Sequence, residues 1–336
     1  MTEDKAFEKA FAELNTAQKE AVEAIYGPVM VIAGPGTGKT QILAVRIANI
    51  LKTLPDTKPD EIVALTYTES AVASMRTRLA GLIGASAYRV RIHTFHGFAR
   101  LILEMRPDLF PRTATGTQLS EVSSIALMEN LLDAGTYTRI RNPKDPYRLA
   151  KNLVNFLSNL KREYYTPEAY RAELTEQLTR VLEDPERINE KGKYAGKEKG
   201  TFKTKREKIE KHLEVADLYA RYVHTLEEKN LYDYEDLIGE AVRGLETNED
   251  FRYEVGERMQ FVLADEHQDA NPAQNKLLEL VTDFDGKPNL FVVGDEKQAI
   301  YRFQGASLAA FFSFKDKYPD AKIILLTENY RSTKEI

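Results

Sequence analysis

Eight consecutive residues, Ala33-Gly34-Pro35-Gly36-Thr37-Gly38-Lys39-Thr40, constrain this chain more than any others. They follow the apolar run Val29 to Ala33 and precede Leu43, Ile47, Ile50 and Leu51, whose three- and four-residue spacing marks one face of a helix. A strand that enters a helix through closely spaced glycines makes a phosphate cradle. Backbone N–H groups can close around oxygens there, and the helix N-terminus adds a positive dipole end. In such a P-loop Lys39 reaches the β- and γ-phosphates and the Thr40 hydroxyl binds Mg²⁺. ATP and Mg²⁺ are therefore the expected cofactors, held by Ala33, Gly34, Pro35, Gly36, Thr37, Gly38, Lys39 and Thr40. The strict pattern opens on glycine, where this chain has Ala33.

Short apolar runs recur at Ile62 to Thr66, Val90 to His93, Phe261 to Ala264, Leu290 to Val293 and Ile323 to Leu326. Each is too short for a helix and continuous enough to be buried on both faces, as strands of a parallel sheet are. Helical patterns between them predict an α/β fold. The alternation stops between roughly Pro111 and Lys229, where the apolar period is helical throughout. Leu149, Leu153, Phe156 and Leu160 form one stripe, and Ile209, Leu213, Ala216, Ala220 and Val223 another. That block reads as an all-helical insertion. Within it, Arg187 to His212 carries ten Lys/Arg against four Glu, interrupted by Gly192, Gly196 and Gly200. It reads as a solvated flexible loop or as a phosphate-contacting arm.

With 336 residues the chain has room for about two domains. It has no cysteine, which excludes a disulfide framework, a thiolate metal site and a cysteine nucleophile. No apolar run approaches the ~18 residues of a membrane span, and Met1 to Glu13 is charged and amphipathic, unlike a signal peptide. A soluble intracellular protein is expected. The net charge of -5 requires any affinity for a polyanion to come from local basic patches.

A second chemical signal follows the apolar run at Phe261, as Asp265-Glu266-His267-Gln268-Asp269. A carboxylate at the end of a buried strand beside a P-loop is the expected second Mg²⁺ contact, which is Asp265. Glu266 next to it is placed to orient or deprotonate an attacking water.

Seven segments occur in an order that resembles superfamily 1 DNA helicases of the UvrD/Rep/PcrA type. They are Leu14-Asn15 with Gln18, the glycine turn, Thr66-Tyr67-Thr68, Thr94-Phe95-His96-Gly97-Phe98, Asp265 to Asp269, Gly294 to Phe303, and Asn329-Tyr330-Arg331-Ser332. The resemblance covers essentially the whole chain and is weakest in the helical block. It implies a RecA-like P-loop NTPase sheet with a large helical insertion. Residues 1–110 and 230–318 would form a first motor domain, 111–229 the insertion, and 319–336 the start of a second RecA-like domain. It also implies that Gln18 reads the adenine, although Asn15 and Gln18 equally make a helix N-cap with its capping-box partner. Gln298 would sense the γ-phosphate, Tyr330 would stack on the adenine, and Arg331 would contact the γ-phosphate.

The partner implied is single-stranded DNA, with single/double-strand junctions. Tyr67, Tyr301 and Phe303 occupy the positions of aromatic steps on which bases stack, and Thr94 and His96 those of backbone-phosphate contacts. The family implies an ATP-dependent 3′ to 5′ helicase or translocase of repair, replication or recombination, cytoplasmic and nucleoid-associated. Three positions depart from the pattern: His267 stands where an aromatic Phe or Tyr is usual, and Gln41 and Gln304 where arginines are common. The family continues beyond Ile336 with a motif that supplies an arginine finger, so the chain is expected to bind nucleotide with little hydrolysis and no unwinding. An ATP-switched DNA-binding or scaffold module, and the motor part of a helicase-nuclease subunit, are the alternatives.

Overall fold

The computed structural model describes residues 3–191, 193–283, 288–295 and 314–330. The chain separates into two compact units, Met1–Met105 with Glu240–Ile336, and Arg106–Gly239.

The first unit is built on a six-stranded sheet in which every pairing is parallel. Its strands are β1 (Val29–Ala33), β2 (Ile62–Thr66), β3 (Arg91–Thr94), β6 (Phe261–Ala264), β7 (Leu290–Gly294) and β8 (Lys322–Leu326), in the order β3-β2-β6-β7-β1-β8. β4 (Thr117–Gln118) and β5 (Leu231–Tyr232) belong to the other unit. Strands β2 and β6 are buried at every position, as continuous apolar runs require of a sheet covered on both faces. The helices α1 (Glu3–Ala12), α2 (Thr16–Glu23), α3 (Lys39–Thr53), α4 (Glu69–Ile83) and α5 (Phe95–Met105) precede the other unit in the chain. α3 packs against both α2 and α4, and its Ile42, Leu43, Val45, Ile47 and Ile50 share one core with β1, β6 and β7.

Two expectations are corrected here. The third strand runs Arg91–Thr94 instead of Val90 to His93. The start of a second domain at 319 does not hold for Lys322–Leu326, because β8 pairs along its whole length with β1, from Val29↔Lys322 to Ala33↔Leu326. A strand whose backbone groups are satisfied by β1 belongs to that sheet.

The second unit contains α6 (Pro111–Thr115), α7 (Glu121–Ala134), α8 (Ala150–Arg162), α9 (Pro167–Glu183) and α10 (Gly200–Glu228), around a core that includes Met128, Leu132, Leu157, Leu218, Tyr219, Tyr222 and Leu226. Among its described residues the named strands are β4 and β5, two residues each, which pair in parallel. The basic stretch is a loop only as far as Lys199. From Gly200 it is the first part of the 29-residue α10. Glycine at the first helical position spoils little, since N–H groups there have no intrahelical partner in any case. Arg206 bridges Glu198 and Glu210, and His212 meets the Tyr170 hydroxyl at 2.6 Å, so much of this charge is used inside the fold. Ala220, expected on the apolar stripe of α10, is exposed.

One buried ionic cluster lies in the second unit. Lys161 Nζ donates to Asp233 Oδ2 at 2.5 Å and to Asp236 Oδ1 at 2.7 Å, while the two aspartates cap each other's backbone N–H groups. Asp236 opens α11 (Asp236–Thr247); α12 (Glu249–Arg258) and α13 (Pro272–Thr282) follow in the first unit.

Candidate nucleotide-binding site

The glycine turn leaves β1 at Ala33 and enters α3 at Lys39. Gly36 and Gly38 have φ of 77° and 87°, a left-handed conformation that a side chain disfavours. The turn is locked from inside, where the buried Thr37 donates its hydroxyl to Gly34 O at 2.8 Å. Ala33 closes β1 in the core with no exposed surface, so its methyl group faces apolar neighbours and does not intrude on the cradle.

Gln18 braces the turn from α2. Its Nε2 donates to Thr37 O at 2.9 Å, and its Oε1 accepts the Asn15 N–H at 3.0 Å. The capping box is thus formed, with Asn15 Oδ1 accepting from Gln18 N at 2.8 Å. The carboxamide proposed for the adenine therefore has its acceptor and one of its N–H groups engaged. Arg46, 2% exposed on α3, donates to Ala21 O at 2.6 Å and Ile25 O at 3.1 Å and lies over the Phe291 ring at 4.2 Å. Burial pushes its pKa down to about 9. It fixes the end of the helix that carries Gln18 to the helix that follows the glycine turn.

The acidic segment begins where β6 ends. β6 is not the neighbour of β1: β7 lies between them, with Ile32↔Gly294 and Ala264↔Val292 in register, so all three strands present their carboxyl ends to one edge. Ligands of parallel α/β sheets bind at that edge. Across it, Lys39 Nζ meets Glu266 Oε2 at 2.8 Å. Asp265 is buried, 5% exposed. Burial first and the Glu266 charge second push its carboxyl up to about 6, against the Glu266 backbone N–H, Lys39 and the Thr40 hydroxyl, which favour the charged form. Glu266 has a φ of 50°, a left-handed conformation held in place by its surroundings. The sequence brought Lys39, Thr40, Asp265 and Glu266 together only as an expectation; the fold makes them neighbours.

Tyr330 also reaches the turn. Its N–H donates to Gly36 O at 2.9 Å, and its hydroxyl accepts from Asn15 Nδ2 at 2.9 Å and donates to Glu328, leaving the residue 59% exposed. Gln298, Tyr301, Phe303 and Arg331 lie outside the described residues. Of the residues expected to touch DNA, Tyr67 is half-buried after β2, with its hydroxyl on Gln274 Oε1 at 3.2 Å and its ring 5.6 Å from Phe95. Thr94 ends β3 and is 8% exposed; its hydroxyl donates to Glu69 at 3.2 Å and accepts the Gly97 N–H at 3.1 Å. His96 is half-buried in the first turn of α5.

Two departures have physical accounts. His267 is 5% exposed, stands edge-on to Phe314 at 6.0 Å and is pushed down to about 4 by burial, so its neutral ring packs as an aromatic would. Gln41 accepts a hydrogen bond from Arg78 at 2.7 Å, so a guanidinium stands beside it. Thr37 was expected at the site; Arg46 and Gln268, which position its residues without being placed against the nucleotide, were missed. The only signal in the sequence was that Gln268 lies inside a quoted motif and Arg46 six residues beyond one.

Among the described residues no group of three or more His, Cys, Asp or Glu is placed to hold a metal ion, and no helix is long and apolar enough to cross a membrane. A Mg²⁺ site of Thr40 and Asp265 fits that result, since Mg²⁺ in phosphate-binding sites takes one or two protein ligands and completes its shell with phosphate and water.

The family described as UvrD/REP helicase N-terminal domain matches residues 14–319. The chain is 30% identical over 324 residues to the ATP-dependent DNA helicase PcrA of Staphylococcus epidermidis, covering 96% of this chain and 38% of the relative. It is 32% identical over 330 residues to the ATP-dependent DNA helicase UvrD1 of Mycobacterium bovis, again covering 96% and 38%. The chain thus spans 38% of the length of these relatives.

Proposed function

Because the chain belongs to the UvrD/REP helicase family, we propose that it binds ATP with Mg²⁺ in the glycine turn and engages single-stranded DNA as part of an ATP-dependent helicase or translocase. The whole protein would move 3′ to 5′ and act at single/double-strand junctions in repair, replication or recombination, on nucleoid DNA in the cytoplasm. The observation that carries this reading is the meeting of Lys39 with Glu266 at 2.8 Å across 227 positions of sequence, with Thr40 on Asp265 beside them.

The residues fit the task asked of them. The backbone N–H groups of Gly36, Gly38, Lys39 and Thr40 would surround the phosphates, with α3 contributing its positive end. Lys39 Nζ would exchange Glu266 Oε2 for phosphate oxygens, which releases Glu266 to accept a proton from water. Thr40 and Asp265 would hold Mg²⁺, which when bound neutralises charge on the β- and γ-oxygens. Tyr330, anchored to Gly36 O and Asn15, presents an exposed ring for the base. Gln298 and Arg331 would respond to the γ-phosphate. Tyr67, Tyr301 and Phe303 would stack bases, each contributing ~1 to 3 kcal/mol without sequence preference, and Thr94 and His96 would position the backbone. In the whole protein, preference of ATP for a closed arrangement of two RecA-like domains would drive movement.

The test is equilibrium binding of a fluorescent ATP analogue, with Mg²⁺ and with EDTA, to the wild type and to Lys39→Ala. Affinity should fall at least tenfold in the variant, and Mg²⁺ should strengthen binding to the wild type. Equal affinity in both proteins would remove the nucleotide site from this turn.

A further inference from the structure

Gln268 joins two segments that are 27 residues apart in sequence. Its Nε2 donates to Glu266 Oε2 at 2.8 Å, and its Oε1 accepts the Asp295 backbone N–H at 2.8 Å. The partners dictate this orientation, because the flipped carboxamide would set oxygen against carboxylate and N–H against N–H. Glu266 Oε2 is the same atom that Lys39 Nζ holds at 2.8 Å. Three hydrogen bonds therefore run without a break from the lysine of the glycine turn to the end of β7.

The surroundings are built for this contact. Gln268 is 8% exposed and Asp295 is fully buried. A Cβ on Gly294 would lie 2.8 Å from Gln268 Oε1 and 3.1 Å from Gln268 N, so no other residue lets the two segments approach this closely. Gly294 is itself fixed by pairing with Ile32, one residue before the end of β1. A carboxamide is a single planar group with its acceptor and donor on opposite branches. Its two bonds cannot be adjusted separately.

We propose that Gln268 is a positioning residue that links nucleotide binding to single-strand binding, by transmitting a change at Glu266 Oε2 to the Asp295 N–H. The inference rests on the function proposed above, in which Tyr301 and Phe303, shortly after Asp295 in sequence, meet the bases. When phosphate draws Lys39 Nζ away, Glu266 Oε2 loses its cation and becomes the stronger acceptor for Gln268 Nε2. The carboxamide turns toward it, and Oε1 slackens its hold on the Asp295 N–H. Linkage then makes DNA act on nucleotide affinity by the same factor.

The experiment measures the affinity of the 336-residue chain for a fluorescent oligothymidine with and without saturating ATPγS and Mg²⁺. The wild type should show a change of at least about fivefold. Gln268→Met keeps the length and bulk of the side chain without its hydrogen bonds. It should bring that factor to within about twofold of unity while leaving each ligand's own affinity within about threefold. Gly294→Ala, acting on the contact from the other side, should do the same. Wild-type coupling retained in Gln268→Met, or no coupling in the wild type, overturns the proposal. A wild type that binds neither ligand instead defeats the functional reading beneath it. The wild type alone supplies a second test that needs no variant to fold: exchange of the Asp295 amide hydrogen should accelerate when ATPγS and Mg²⁺ bind. An unchanged rate overturns the proposal.

Discussion

The cost of removing one side chain depends on what it leaves behind. Lys161, Asp233 and Asp236 have side chains only 9%, 13% and 10% exposed. Burial alone would lower the Lys161 pKa, yet Asp236 and Asp233 together hold it well above its usual value. Lys161→Met would leave Asp233 without a cation in a desolvated site and Asp236 with Arg112 at 3.5 Å, and urea unfolding should register a loss of roughly 3 to 5 kcal/mol. A loss under about 1 kcal/mol would mean that water already reaches them. His212 offers a pH test in the same unit. Burial, then the Lys208 and Lys211 charges, hold its pKa below 6.5, while Tyr170 occupies Nδ1 and Phe156 packs edge-on at 5.5 Å. The unfolded chain therefore takes up the proton first as pH falls through 6.5, and stability must decline in that direction. His212→Asn, compared with wild type in urea titrations between about pH 7 and 5, should flatten the decline. Identical slopes would show that His212 does not contribute to it.

At the scale of elements, the spans of β1 and β6 and the start of α3 were legible because continuous apolar runs and glycine spacing are local properties. The fold class was legible for the same reason. Strand order was not, since nothing in the runs at Phe261 or Leu290 states which neighbours β1 or that β7 stands between β1 and β6. The edge strand β8 was misassigned to a second domain because only its pairing with β1 reveals its membership. The glycine turn and the acidic segment were legible from residue type. Their bracing was not, because Arg46 looks like a surface residue in sequence and is 2% exposed in the fold. Arg46→Met keeps much of the packing on Phe291 but leaves Ala21 O and Ile25 O without its guanidinium. A loss of roughly 2 to 4 kcal/mol is expected in chemical denaturation, with weaker binding of the fluorescent ATP analogue because α2 no longer holds Gln18 against Thr37 O. Unchanged affinity in a destabilised variant would confine Arg46 to the fold.

Among the described residues one core is gathered on the six-stranded sheet and another among α7 to α10. The proposed nucleotide ligands all belong to the first unit. Scanning calorimetry should accordingly resolve two transitions, of which ATPγS with Mg²⁺ raises one. At a hundredfold excess over Kd the gain is about 2.7 kcal/mol, and the other transition should stay where it was. A single transition that moves as a whole would show that the two cores melt as one. The backbone contact from Tyr330 to Gly36 O has a mechanical meaning as well. Tension on the polypeptide after β8 would reach the glycine turn through the bond to Gly36 O, and α2 through the Asn15 contacts, before it loads the ladder between β8 and β1. The turn that would hold the fuel is thereby also a strain gauge for whatever pulls on that end.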